Sequence, residues 1–253
     1  MKGHGRDQGR FWYDKLNACN RDVASTRKTA GIIRFAGAEQ MDGSVDRFLS
    51  NARLRTVRIG IVAGFVACLA YPLAAFAPLP RLATTTLVAC FGPALCVASY
   101  GLRSLLDFAT PRPSSALGSL LNALAGALFS AMGLVQLAVR YSTGGDKVSA
   151  SFVAIWLGLD VAWDAYIGLG TICFALAMLR HPCFGKVFAF SGMVAGAGLL
   201  VLHLYTFPTP PQNAGLVDLG PVLGLWYLVV TIQMWRSLGW AQGLSHVSGP
   251  NVQ

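Results

Sequence analysis

Two carboxylates stand in the middle of an apolar stretch, WLGLDVAWDAYIGLGT, residues 156–171. Asp160 and Asp164 are four positions apart, so on a helix they share one face, continued by Trp156, Gly168 and Thr171. An unpaired carboxylate in an apolar medium is costly, so such groups face a bundle interior or water and are paired or protonated. Carboxyl and imidazole groups exchange protons near neutral pH, which makes Asp160, Asp164 and His203 a candidate proton or cation relay. Two other readings stand beside it. In the first, the residues are structural: Asp160 pairs with Arg140 or His203, and Asp164 bonds an indole or hydroxyl on a neighbouring helix.

The second is a metal site or an enzyme, and it fails specific checks. There is no HExxH or GxSxG motif, and a lone DxxxD arises often by chance. The paired Asp-rich motifs of membrane prenyltransferases, the Asp-Gly and Ala-Arg pattern of CDP-alcohol phosphotransferases and the GxGD motif of intramembrane aspartyl proteases are all missing. No metal, cofactor or catalytic residue is expected. Nor do the six cysteines form a framework: Cys68, Cys90, Cys96 and Cys173 lie in apolar runs, and Cys19 and Cys183 in an arm and a loop.

The elements that must position these residues follow from hydropathy. The chain is 54% hydrophobic and 12% charged, outside the range of an ordinary globular domain. Beyond residue 56 the sequence falls into apolar runs of about 20 residues, the length that crosses a hydrocarbon core of about 30 Å as a helix. Six spans are predicted, at 57–76, 82–105, 116–139, 152–179, 187–206 and 216–235, separated by Pro78 and Pro80, Pro111 and Pro113, Gly144 and Gly145, Pro182, and Pro208, Pro210 and Pro211. The fold class is an all-α integral membrane bundle with antiparallel neighbours, because lipid leaves backbone polar groups no other partner. The prolines of the last separator are read as a stop signal, and Trp226, Tyr227 and Trp235 as packing or interfacial anchors.

Basic residues orient the bundle. Residues 1–58 hold twelve Lys or Arg and six acids, which accounts for +6 of the net charge of +9. With this arm in the cytoplasm, the loops on its side gain Arg103, Arg112, Arg180 and Lys186, and the C-terminal end gains Arg236; the opposite loops hold Arg81, Arg140 and Lys147. Both termini are therefore predicted on the cytoplasmic side of a bacterial inner membrane, with a short tail at 239–253. The arm, residues 1–56, reads as a solvated topogenic segment near anionic lipid; no nucleic-acid motif accompanies its aromatics Phe11, Trp12 and Tyr13. Met41 would make a compact natural start, so residues 1–40 are assigned no structure, and no cleavable signal peptide is expected.

This topology gathers polar residues in the outer half. Gln136, Arg140 and Tyr141 end the third span there, His203 lies near the end of the fifth, and Asp218 opens the sixth. Asp160, Asp164, His203, Arg140, Gln136 and Asp218 form the candidate intramembrane polar pocket, although an acid in a first helical turn can simply complement the helix dipole. Small residues recur one turn apart at Gly60 and Gly64, along Gly118, Asn122, Gly126 and Ser130, at Gly192 and Gly196, and at Gly220 and Gly224. Close helix packing is their expected use; a homo-oligomer or a membrane partner on one such face is the sharper alternative.

From Asp160 onward, Trp163-Asp164, the loop Arg180-His181-Pro182, the stretch from Phe207 to Pro211, and Gly220-Pro221 before Trp226 carry a resemblance. On these features the C-terminal third to half of the chain resembles an uncharacterised bacterial family of multi-pass membrane proteins, a domain of unknown function. The resemblance implies a six-helix bundle and supplies no activity and no site residues. The leading functional expectation is binding or transport of a small solute or ion, and the alternative is a structural or partner-binding membrane subunit in the lipid bilayer.

Overall fold

A computed structural model describes residues 39–143, 148–208 and 218–247, with side chains placed for 49–143, 148–208 and 218–244. The predicted arm up to residue 38, the loop positions 144–147 and 209–217, and the end of the tail lie outside the described residues. The described residues contain seven α-helices and no strand. They are α1 (Glu39–Phe76), α2 (Arg81–Ala109), α3 (Pro113–Thr143), α4 (Ala150–Met178), α5 (Gly185–Thr206), α6 (Gly220–Arg236) and α7 (Leu238–Val247). Two compact units divide the chain. One is Ala52–Leu238, which holds the bundle; of the described residues the other takes 39–51, the start of α1, and 239–247, most of α7.

Five helices, α1 from Leu49 to α5, are long and apolar enough to cross a membrane. Their outward faces are what lipid requires: Ile59, Val62 and Leu69 on α1 and Val187, Val194 and Val201 on α5 are all exposed. α6 is shorter, at 17 residues. The first helix also starts earlier than expected, at Glu39 rather than residue 57, so the last part of the predicted arm continues the first span as helix.

Proline and glycine set the breaks. Pro80 precedes α2, Pro113 opens α3 where its missing N–H costs nothing, and Gly185 opens α5 with φ +72, a conformation that favours glycine. Pro72 and Pro93 lie inside α1 and α2, as membrane helices tolerate. Within the bundle, α2 packs on α3, α3 on α4, α4 on α5 and α5 on α6. The bundle closes at Gly64, whose missing Cβ would stand 2.7 Å from Thr231 Oγ1 of α6, and at Phe65, whose ring meets Trp235 edge to face at 6.0 Å. α4 is the central helix: 56% of its apolar window is buried against 22–28% for the other spans.

Glycines decide how closely these helices approach. A Cβ on Gly60 would lie 2.5 Å from Gly101 Cα of α2, one on Gly126 2.9 Å from Gly92 O, and one on Gly196 2.6 Å from Gly168 O. Gly118 packs on Phe174, and Gly192 on Trp226. These contacts lie within the chain. The expected face at Gly220 and Gly224 is different: a Cβ on Gly224 would meet nothing within 4 Å, and the nearest neighbour of Gly220 is Asp218 beside it. That pair lies on a face of α6 turned away from its neighbours, which spacing alone does not reveal.

The contrast gives a prediction. Gly60→Ala and Gly126→Ala should each destabilise the bundle by about 1–3 kcal/mol, because backbone must move, while Gly224→Ala should stay within about 0.5 kcal/mol of the parent. Thermal unfolding of the purified protein in detergent measures all three.

Candidate functional site

Successive residues on a helix point about 100° apart, so Trp163 and Asp164 of α4 enter different surroundings. Trp163 joins an aromatic cluster, with its ring 5.0 Å from Phe129 of α3 and 6.0 Å from Phe91 of α2. Asp164 faces α5, where its Oδ2 lies 2.7 Å from His203 Nε2. Both residues are buried, at 5% and 3% exposure. The other imidazole nitrogen, Nδ1, lies 3.0 Å from the Leu199 carbonyl one turn back on α5.

This geometry fixes the proton count. A carbonyl oxygen only accepts, so Nδ1 carries a hydrogen. If the ring is neutral, Nε2 is bare, and the 2.7 Å contact then needs a protonated carboxyl; if the ring is charged, Nε2 donates to a carboxylate. Either way one proton sits between Asp164 and His203, and the pair is neutral as a whole. With the shared proton in place such a pair carries no net charge, which the lipid interior tolerates.

Asp160 lies one turn from Asp164, toward the end of the bundle where α5 finishes. It is half-buried and within electrostatic range of Asp164, His203 and Asp218, and among the described residues it makes no hydrogen bond or ion pair. Tyr71 of α1 is within range of Asp160, Asp164 and Asp218. The structural pairing expected from sequence is thus rearranged. His203 takes Asp164, not Asp160, because the Gly168–Gly196 contact draws α4 and α5 together just below the acid.

Of the other expected members, Asp218 stays within electrostatic range of Asp160 and Asp164, whereas Gln136 and Arg140 point elsewhere. Gln136 and Arg140 are exposed on the last turns of α3, and among the described residues neither makes a hydrogen bond or ion pair with Asp160. Tyr141 meets Arg81 instead, whose guanidinium stacks 4.0 Å above its ring and ties α2 to α3. Asp218 is exposed and its Oδ1 accepts the Gly220 N–H at 2.8 Å, a turn-stabilising bond at the head of α6. The loop positions 209–212, a candidate lip over the site, lie outside the described residues.

A second polar layer lies seven residues further along α4. Asn122 Nδ2 of α3 donates to the Gly118 carbonyl at 2.8 Å, which leaves Oδ1 to accept from the Tyr227 hydroxyl of α6 at 2.6 Å. Thr171 Oγ1 of α4 lies 2.8 Å from the same hydroxyl and 2.7 Å from the Ile167 carbonyl. Three helices meet at this point. Sequence reading placed Asn122 among small packing residues and Tyr227 among anchors; the usable signal was a side-chain amide in an apolar run, which lipid does not leave unpaired.

A third cluster closes the opposite end of the bundle. Ser115 Oγ donates to Asp107 Oδ1 at 2.6 Å, Arg103 Nε stands 3.4 Å from Asp107 Oδ2, and Arg112 donates to the Ala177 carbonyl at 3.4 Å. His181, in the loop between α4 and α5, is buried; its Nδ1 accepts the Cys183 N–H at 3.2 Å. Burial is the main reason its pKa is pushed down to about 4, with the nearby Arg112 charge acting the same way against a bond to the Leu105 backbone. Gln233 of α6 donates to the Cys183 carbonyl at 2.6 Å and locks this loop to the last helix.

Among the described residues no group of three or more His, Cys, Asp or Glu is placed to hold a metal ion. Compared with known proteins, the chain matches no family model, no curated protein and no solved structure.

Two predictions follow from the geometry. In a double-mutant cycle in detergent, Asp164→Ala and His203→Ala should be non-additive, with a coupling of about 1–2 kcal/mol, because each removes the partner of the same buried bond. His181 supplies a pH test. Its folded pKa lies below the ordinary 6.5, so the unfolded chain takes up a proton that the folded one refuses. The stability this gives is present above pH 6.5 and is lost as pH falls from 6.5 toward about 4. Unfolding midpoints should drop across that window in the parent, and the drop should be smaller in His181→Gln, which keeps an acceptor for Cys183 N–H but takes no proton.

Proposed function

We propose that this chain is a six-span protein of a bacterial inner membrane, with both termini cytoplasmic, that binds and moves a proton, or a small solute or ion coupled to one. The resemblance to a bacterial family of multi-pass membrane proteins would accord with six spans and supplies no activity. The sixth span would be α6. Its 17 residues rise roughly 25 Å, the lower limit for crossing, and its contacts with α1, α4 and α5 support a place inside the bundle. The orientation is supported by charge. Arg53, Arg55, Arg58, Arg103, Arg112, Arg180, Lys186 and Arg236 lie toward the His181 end, and Arg81 and Arg140 toward the other.

The observation that carries the reading is the 2.7 Å contact between Asp164 and His203, with the half-buried Asp160, which makes no hydrogen bond or ion pair among the described residues, one turn away on the outer side. A group that only glues helices together needs no second acid beside it. Asp160 would collect or release the proton and the buried pair would hold it, uncharged while the proton is in place and negative by one charge until it is replaced. A structural or partner-binding subunit is the second reading, favoured by the near-complete burial of Asp164 and His203 against each other.

Reconstituted vesicles separate the two. Asp164→Asn keeps the shape and a hydrogen bond to His203 but cannot exchange a proton, so proton-linked uptake or release should vanish while the variant stays folded. Unchanged flux, or loss of folding with no separate loss of flux, would sink the transport reading.

A further inference from the structure

We infer that an anionic phospholipid binds on the lipid side of the seam between α1 and α6 at the His181 end, with its phosphodiester between Arg58 and Arg236 and its acyl chains along the exposed apolar side chains next to them. This site is separate from the proton pair and does not depend on it. Its first support is one-sided charge. Arg53, Arg55, Arg58, Arg180, Lys186 and Arg236 are all exposed, and among the described residues their side chains make no hydrogen bond or ion pair. Asp107 is the one acid at this end with a described side chain, and Ser115 and Arg103 already hold it. The charge that answers these cations therefore comes from outside the described residues.

The α1–α6 seam places two of the six together. Gly64 meets Thr231 and the Phe65 ring meets Trp235, so the two helices are level at these residues. Seven residues are close to two helical turns, so Arg58 lies on the Phe65 face of α1, roughly 10 Å nearer the His181 end. Arg236 follows Trp235 directly on α6. An arginine stem lies along apolar surface while its guanidinium reaches the polar layer, which brings the Arg236 charge toward the depth of Arg58. Two planar forks then flank one seam, and a phosphodiester offers oxygens in the geometry that a guanidinium bonds best.

A lipid fits better than a soluble anion because of what adjoins the charges. Ile59 and Val62 follow Arg58 on α1, Trp235 precedes Arg236 on α6, and Leu225 and Val229 continue its outer face; all five are exposed. A free phosphate would cover the arginines and leave this apolar surface bare, whereas a phospholipid covers both. The seam also has room for a tie. Among the described residues no hydrogen bond joins α1 to α6, which meet through Gly64 and Thr231 and through Phe65 and Trp235. A headgroup bound by Arg58 and Arg236 links the first span to α6.

The test uses the full chain in phosphatidylcholine vesicles containing a small amount of lipid with brominated chains, which quench tryptophan on contact. The Trp235 part of the emission is the difference between the parent and Trp235→Phe. Brominated phosphatidylglycerol should quench that part at least about fivefold more effectively than brominated phosphatidylcholine, the order that one basic residue near an anionic headgroup supplies. The preference should disappear in Arg58→Gln/Arg236→Gln and persist in Arg180→Gln/Lys186→Gln, which removes the same charge from the same end. No preference in the parent overturns the site. Equal loss in the two double variants also overturns it, since the attraction would then belong to the whole charged end. If excess glycerol phosphate at constant ionic strength removes the preference, the seam takes a soluble phosphate and the lipid assignment fails. Should the double variant not fold, Arg58→Gln and Arg236→Gln are measured singly; each should lower the preference, and an unchanged value in either overturns the site. Proton flux plays no part in the readout, so failure here leaves the relay reading as it stands.

Discussion

At Gly168 and Gly196 the backbones of α4 and α5 touch, because neither residue carries a Cβ and each would need the other's carbonyl to move if it did. That approach determines what happens one turn away. It brings His203 to 2.7 Å from Asp164, which a pair of alanines at the crossing would hold further apart. The same device recurs between α2 and α3 at Gly92 and Gly126 and between α1 and α2 at Gly60 and Gly101. In lipid the helices gain nothing from hiding apolar surface from water, so close van der Waals contact and buried hydrogen bonds hold them together. Glycine supplies the first and permits the second.

Buried polar groups in this bundle come in layers. Asp164 with His203 joins α4 to α5; Asn122, Thr171 and Tyr227 join α3, α4 and α6; Asp107 with Ser115 joins α2 to α3. Each layer is closed by hydrogen bonds, and α3 and α4 each take part in two of them. Aromatic rings from Phe91, Phe129 and Trp163 occupy the other side of α4 and keep the acid's neighbourhood apolar. The carboxyl in that setting is held by the His203 imidazole.

Much of the bundle was legible before any coordinates. The five apolar runs after the first appear as helices within four residues of their expected limits, since the length that spans a bilayer is written directly in hydropathy, while α1 begins at Glu39, well before the expected residue 57. The candidate site was legible in part. Asp160, Asp164 and His203 stand out because ionisable residues are rare in such runs, and spacing put the two acids on one face. Gln136 and Arg140 were drawn in by topology alone, which gives the depth of a residue but not its rotation about the helix axis. The same blindness missed the partnership of Tyr227 with Asn122 and Thr171, because tyrosine near a helix middle reads equally well as core.

Sequence alone determined the class of the molecule, the lengths of its apolar helices, the bias of basic residues to one end and the short list of side chains that an apolar medium cannot leave unpaired. These depend on composition and local spacing, which a linear reading contains. Tertiary structure decided the pairings. Whether His203 met Asp160 or Asp164, which glycines touched another helix and which, like Gly224, faced outward, depended on how each helix is turned about its axis and how closely it approaches its neighbours. Those rotations result from all the contacts of the bundle acting together, and no single helix encodes its own.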